Sequence, residues 1–210
     1  MRLFSLFRQR DPEDVFSAMS QDIVTTAIAA RSVLTDEKDP RASEACSEVA
    51  YLLLHLVDRE LFNLFGQKGR DRFLDRIVER VLAVYVLSVL TRHMPQVDAT
   101  ELGEAMLNTF NSRQQTYGNC ASILGEGGSE SASMTFPGPG SMVFALCFFI
   151  RKSLGHPVAR NPEEILAGKA DISSIDLQTI PDVESLMRGA VFIGTTMNEL
   201  RLGASLKKLR

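Results

Sequence analysis

Tryptophan is absent from this 210-residue chain, and aromatic residues make up only 7% of it. A surface that stacks sugars or unpaired bases is therefore not expected. Cysteine occurs three times, at Cys46, Cys120 and Cys147, with no C-x-x-C pair. That excludes a disulfide scaffold and argues against a structural zinc site. Histidine also occurs three times, and neither an H-x-x-x-H pair nor a Glu-x-x-His motif is present. The longest apolar stretches, over residues 81–90 and 141–150, are far short of the ~20 residues that a membrane-spanning helix needs. At the amino end, Leu3, Phe4, Leu6 and Phe7 are interrupted by Arg8 and Arg10, so no secretory h-region forms. A cytoplasmic protein is expected.

What is present is ordinary globular composition: 45% hydrophobic, 23% charged, with mean hydropathy +0.01. The net charge of −3 is unevenly spread. Residues 1–10 hold three basic side chains and no acid, and residues 201–210 hold four and no acid. The 190 residues between them hold 16 basic and 26 acidic side chains. An acidic body does not attract nucleic acid, so nucleic acid is not an expected partner. The basic ends, 1–10 and 203–210, read as solvated tails. Residues 1–10 are amphipathic enough for weak contact with a membrane surface.

Hydrophobic spacing is helical almost throughout. Phe16, Met19, Ile23, Ala27, Ala30 and Leu34 step by three or four behind an Asp11-Pro12 start signal. Asp39-Pro40 opens a second helix expected to stop at Gly66. A third is expected over residues 70–93, with a charged first half and the uncharged stretch 81–90 placing it near the centre of the core. Asp98-x-x-Glu101 starts a fourth, to about Tyr117. Residues 142–154 read as a buried helix, Pro162 begins a short one, and the last is expected to run unbroken from Asp182 toward Lys208. Eleven of the 17 residues over 125–141 are Gly, Ser or Pro, which predicts a long loop. The expected fold is a single all-α domain of six to seven helices over residues 11–202.

The segment from Glu48 to Phe62 carries the most chemistry. Glu48, Tyr51, His55, Asp58, Arg59 and Phe62 fall on one helical stripe amid leucines. His55 and Asp58, three apart, could reach one ion with help from Glu48, so these three are the predicted metal ligands. The bland reading is a structural histidine beside an Asp–Arg pair. Arg72 with Asp75 and Arg76 with Glu79 are expected to pair along their own helix, or to meet another subunit. Gly189 and Gly194 are sites where another helix could come close. Cys120 would be a nucleophile only beside a histidine. The Gly-rich loop lacks the Lys of a P-loop, and no basic residue lies between Arg113 and Arg151.

No catalytic motif survives, and no cofactor is expected. The leading expectation is a non-enzymatic interaction or structural protein, homodimeric and with a further protein partner. The alternative is a small-molecule or metal-binding protein, in its strongest form an enzyme, built on Glu48, His55 and Asp58. The third is contact of the basic termini with a membrane surface or nucleic acid.

Overall fold

A computed structural model describes residues 11–124, 137–159, 162–170 and 175–209. The predicted N-terminal tail, residues 1–10, and most of the Gly/Ser/Pro loop lie outside these residues. Helix α1 spans Pro12–Leu34. The Asp11 carboxylate accepts from the Glu13 amide, Pro12 sits in the first turn, and Glu13 and Asp14 favour the positive helix end. A short α2 (Ala42–Ala45) precedes the long α3 (Ser47–Tyr85). A π-helical turn over Val86–Leu90 and a last turn, α4 (Thr91–His93), continue it. Then come α5 (Ala99–Gly118), α6 (Met142–Ser153), α7 (Pro162–Leu166), a 3₁₀ turn over Leu177–Thr179, α8 (Val183–Leu200), α9 (Leu202–Leu206) and a closing 3₁₀ turn over Lys207–Leu209. The described residues contain no β-strand, so the all-α single domain holds.

Helix α3 organises the molecule. It packs along α1 most extensively, and also against α5, α6 and α9. Every residue from 45 to 58 is buried, as is every residue from 141 to 150 in and before α6. Residues 70–93 do line the core with Ile77, Val81 and Tyr85, but Leu87 is 65% exposed. The position enclosed on every side therefore belongs to the first turns of α3 rather than to the 81–90 stretch. Lack of charge marked two segments alike, and contacts distant in sequence decide which one is surrounded.

Gly66 breaks α3 as expected, with φ 65 and ψ −170, a conformation essentially reserved for glycine. The helix resumes at once and does not stop there. The arginines that follow leave their own helix. Arg76 bonds the Glu13 carboxylate, and Arg80 Nη1 reaches Glu13 Oε2 at 3.1 Å and Ser17 Oγ at 2.9 Å. The charged run thus grips the start of α1, which corrects the expectation of Arg72–Asp75 and Arg76–Glu79 pairs.

The ends of the Gly/Ser/Pro window are tied together. The Ala121 amide donates to the Gly140 carbonyl at 3.0 Å. The Met142 and Val143 amides donate to the Ser122 and Ile123 carbonyls, each at 3.0 Å. These bonds satisfy two of the otherwise orphaned amides at the start of α6, and Ser141 Oγ caps a third, that of Phe144. The chain leaves and re-enters the same body here, so the window is not a linker between two domains.

The last helix is not continuous. Arg201 takes a left-handed conformation (φ 44, ψ 48) and divides α8 from α9. Leu202 and Leu206 are buried, so residues 203–209, expected as a solvated tail, lie with Leu202 against α3 and α1. No helix among the described residues is long and apolar enough to cross a membrane.

Candidate functional site

Two of the three predicted ligands meet α5, and the third does not. Glu48 and His55 are seven residues apart, two helical turns, and so share a face of α3. That face meets Arg113, Gln114 and Tyr117. Arg113 Nε donates to Glu48 Oε2 at 2.8 Å and Nη2 to Oε1 at 2.7 Å, a two-pronged fork. The back of the guanidinium lies 3.5 Å from the centre of the Phe149 ring of α6. Glu48 is only 2% exposed. Burial raises its pKa, and the Arg113 bonds oppose the rise. A buried carboxylate without that fork would be severely destabilising.

Two turns from Glu48, His55 Nδ1 and Gln114 Oε1 are 2.5 Å apart, a hydrogen bond between α3 and α5. Burial lowers the His55 pKa and keeps the ring neutral, against the pull of the Gln114 bond and of the Asp58 charge. The Tyr117 ring lies 5.8 Å from the His55 ring, centre to centre, and meets Phe149 edge-on at 6.2 Å. His55 Nε2, Gln114 Nε2 and the Tyr117 hydroxyl are buried with no hydrogen-bond partner among the described residues.

Asp58 turns elsewhere. It is held by Arg70 from beyond the Gly66 break, with Nη2 to Oδ2 at 3.1 Å and a second, shorter bond from Nε. The fork fixes the angle at the break. His55 and Asp58 thus have separate partners. Among the described residues no three His, Cys, Asp or Glu side chains converge as metal ligands. The cysteines are thiols. Burial pushes Cys120 up to about 11 and Cys46 and Cys147 up to about 12. Cys120 Sγ contacts the Thr116 carbonyl at 3.5 Å.

Arg113, Gln114, Tyr117 and Phe149 were missed in the sequence. A signal for two of them was there: Leu102, Met106, Phe110, Arg113 and Tyr117 continue one stripe at steps of three and four. An arginine on an apolar stripe needs a buried acid, and Glu48 is an acid on another apolar stripe. Chemically the cluster is a closed ion pair with a neutral histidine beside it. It orients three helices.

Two cavities lie apart from this cluster. One, of about 470 Å³, opens between α3, the residues after α5, and the α8–α9 junction. The other, of about 330 Å³, lies between the end of α1, α6 and the start of α8. In comparisons with protein families, with curated proteins and with solved structures, the chain matches none of them.

Proposed function

We propose that this chain is a non-enzymatic helical interaction protein, that its first partner is a second copy of itself, and that α8 makes the contact. One observation carries the reading. The face of α8 turned away from the core carries exposed apolar side chains among Glu184, Arg188, Thr195 and Asn198. Val183 and Val191 are 64% and 65% exposed, and Met187, Ala190 and Gly194 lie half-buried beside them. The inward face is made by Leu186, Gly189, Ile193 and Thr196. The apolar arc of the helix therefore runs past the part that its own chain covers and onto the exposed side.

The exposed stripe is self-complementary. In an antiparallel pair about a twofold axis, one register sets Val183 opposite Gly194 and Met187 opposite Ala190, large against small at four places. A methyl group added at Gly194 would meet nothing within 4 Å, so that gap is open to a partner. Glu184 and Arg188 bond to each other on the same exposed side as Val191, so the two charges there offset one another. The closed Glu48–Arg113 pair supports the non-enzymatic half of the reading, because its donors and acceptors are used within the fold. A cytoplasmic setting belongs to the same proposal. It is supported by three unpaired, buried cysteines, and cell fractionation checks it.

Native mass spectrometry with sedimentation equilibrium tests the pairing. A dimer is expected that loosens about 100-fold or more in Val191→Glu, with helicity unchanged. Gly194→Leu, which fills the gap on the same face, is expected to loosen it as well. A monomeric wild type at ~100 μM, or dimers indifferent to both substitutions, overturns the proposal.

A further inference from the structure

We infer that the 470 Å³ cavity between α3 and the α8–α9 junction is a binding site for a small organic carboxylate, held by Arg59 and Arg201. This rests on observations separate from the α8 contact.

The first is charge left without a partner. Arg41, Arg70, Arg76, Arg80, Arg113 and Arg188 each pair with a carboxylate. Arg59 and Arg201, both exposed, line the cavity from two different elements, and like Arg31, Arg72, Arg92 and Arg151 they have no ion pair among the described residues. Glu60 lines the same cavity, yet neither guanidinium has closed on it. Two arginines lining one concave space supply the donor type that recognises a planar carboxylate.

The second is backbone strain at the same place. Arg201 is the one residue other than glycine with positive φ among the described residues. A left-handed turn after a helix is ordinarily filled by glycine or asparagine. Here an arginine holds it, and the same residue lines the cavity. Strain held by the surrounding fold is characteristic of ligand-binding positions. The surrounding fold does hold it: Leu202 and Leu206 anchor α9, and Gly203 brings α9 so close that a Cβ there would stand 2.4 Å from Glu60 Oε1.

The remaining wall sets the ligand class. Leu56, Ile123 and Met197 offer apolar surface for a carbon skeleton, and Asn63 adds a polar contact. The Glu60 carboxylate disfavours multiply charged anions, so a monocarboxylate fits better than a phosphate. The volume lies within the usual ~300–1,000 Å³ of small-molecule sites.

The test is calorimetric titration of the whole protein at low salt with hexanoate and, separately, with inorganic phosphate. Saturable hexanoate binding is expected, weaker by about tenfold or more in Arg59→Gln and in Arg201→Gln, with phosphate binding less well. Arg201→Gly separates binding from folding. It relieves the left-handed strain, so it is expected to lose hexanoate binding while its Tm equals or exceeds that of wild type. No saturable binding, binding that survives all three substitutions, or phosphate binding better than hexanoate overturns the inference.

Discussion

A carboxylate buried at the start of α3 has to be matched where it lies, and Arg113 is the match. Removing either partner leaves the other buried and uncompensated. Glu48→Leu and Arg113→Met are therefore each expected to cost about 3–5 kcal/mol. The double variant, apolar at both positions, is expected to recover most of that loss and to equal or exceed wild type. Urea unfolding of the four proteins reads the coupling, and two single losses that simply add would show that the pair does not act as a unit. The pH dependence follows from the two directions of shift. The Glu48 pKa is raised by burial, so its contribution is full below the unfolded value of 4.5 and is lost as pH rises through the folded one. The His55 pKa is lowered by burial, so its contribution is full above the unfolded value of 6.5 and is lost as pH falls through the folded one. Between pH 7 and 5 the wild type should lose stability more steeply than His55→Leu, since both retain Glu48. Equal slopes would mean that His55 is not buried in its neutral form. Glu48 and His55 stood out in the sequence because they sat among leucines. Their partners, 65 and 59 residues away, did not, since periodicity says which side of a helix faces inward and not which neighbour waits there.

At the scale of elements, most helix starts were legible because capping is local. Asp11, Asp98, Ser141 and Asp182 each accept from an amide two or three residues on. Interruptions were harder to read. Gly66 was visible as a breaker, but the Arg70–Asp58 fork that spans the break joins residues 12 apart and is not read from either one alone. The π turn over Val86–Leu90 and the left-handed Arg201 carry no sequence signal, since both are imposed by packing around them. The two glycines of α8 divide in the same way. A methyl group at Gly189 would stand 2.7 Å from Cys147 Sγ and 3.2 Å from Val143 Cγ1, whereas one at Gly194 would touch nothing. Gly189→Ala is thus expected to destabilise by about 1–3 kcal/mol through overpacking of α8 on α6. Gly194→Ala is expected to stabilise by up to about 1 kcal/mol through helix propensity. Thermal melts at low protein concentration distinguish the two, and equal effects would show that α8 does not approach α6 through Gly189.

Across the whole molecule, the chain closes on itself through its last described residues, 202–209. The basic side chains of residues 201–210 suggested a tail in water, but Leu202, Leu206 and Leu209 recur at steps of four and three among them. That spacing is the weaker signal over so few residues, and the charges on the other side masked it. In the fold, Leu206 is 0% exposed, and α9 with its 3₁₀ turn touches both α3 and α1, the two longest helices. The C-terminal segment therefore joins the cooperative unit, and its loosening should be felt by the whole core. Leu206→Ala removes a fully buried side chain, which costs about 2–5 kcal/mol. For a domain of this size that corresponds to a fall in Tm of about 4–20 °C. The loss should appear as one transition, with helix content by circular dichroism and tyrosine environment in the near ultraviolet moving together. Tyr51, Tyr85 and Tyr117 are buried in the core and α9 is at its edge, so coincident transitions would mean that the edge and the core unfold as one body. A Tm within a degree of wild type would mean instead that residues 202–209 lie loosely on α3. The strain at Arg201 would then have nothing to hold it, and the cavity would lose the wall formed by the α8–α9 junction.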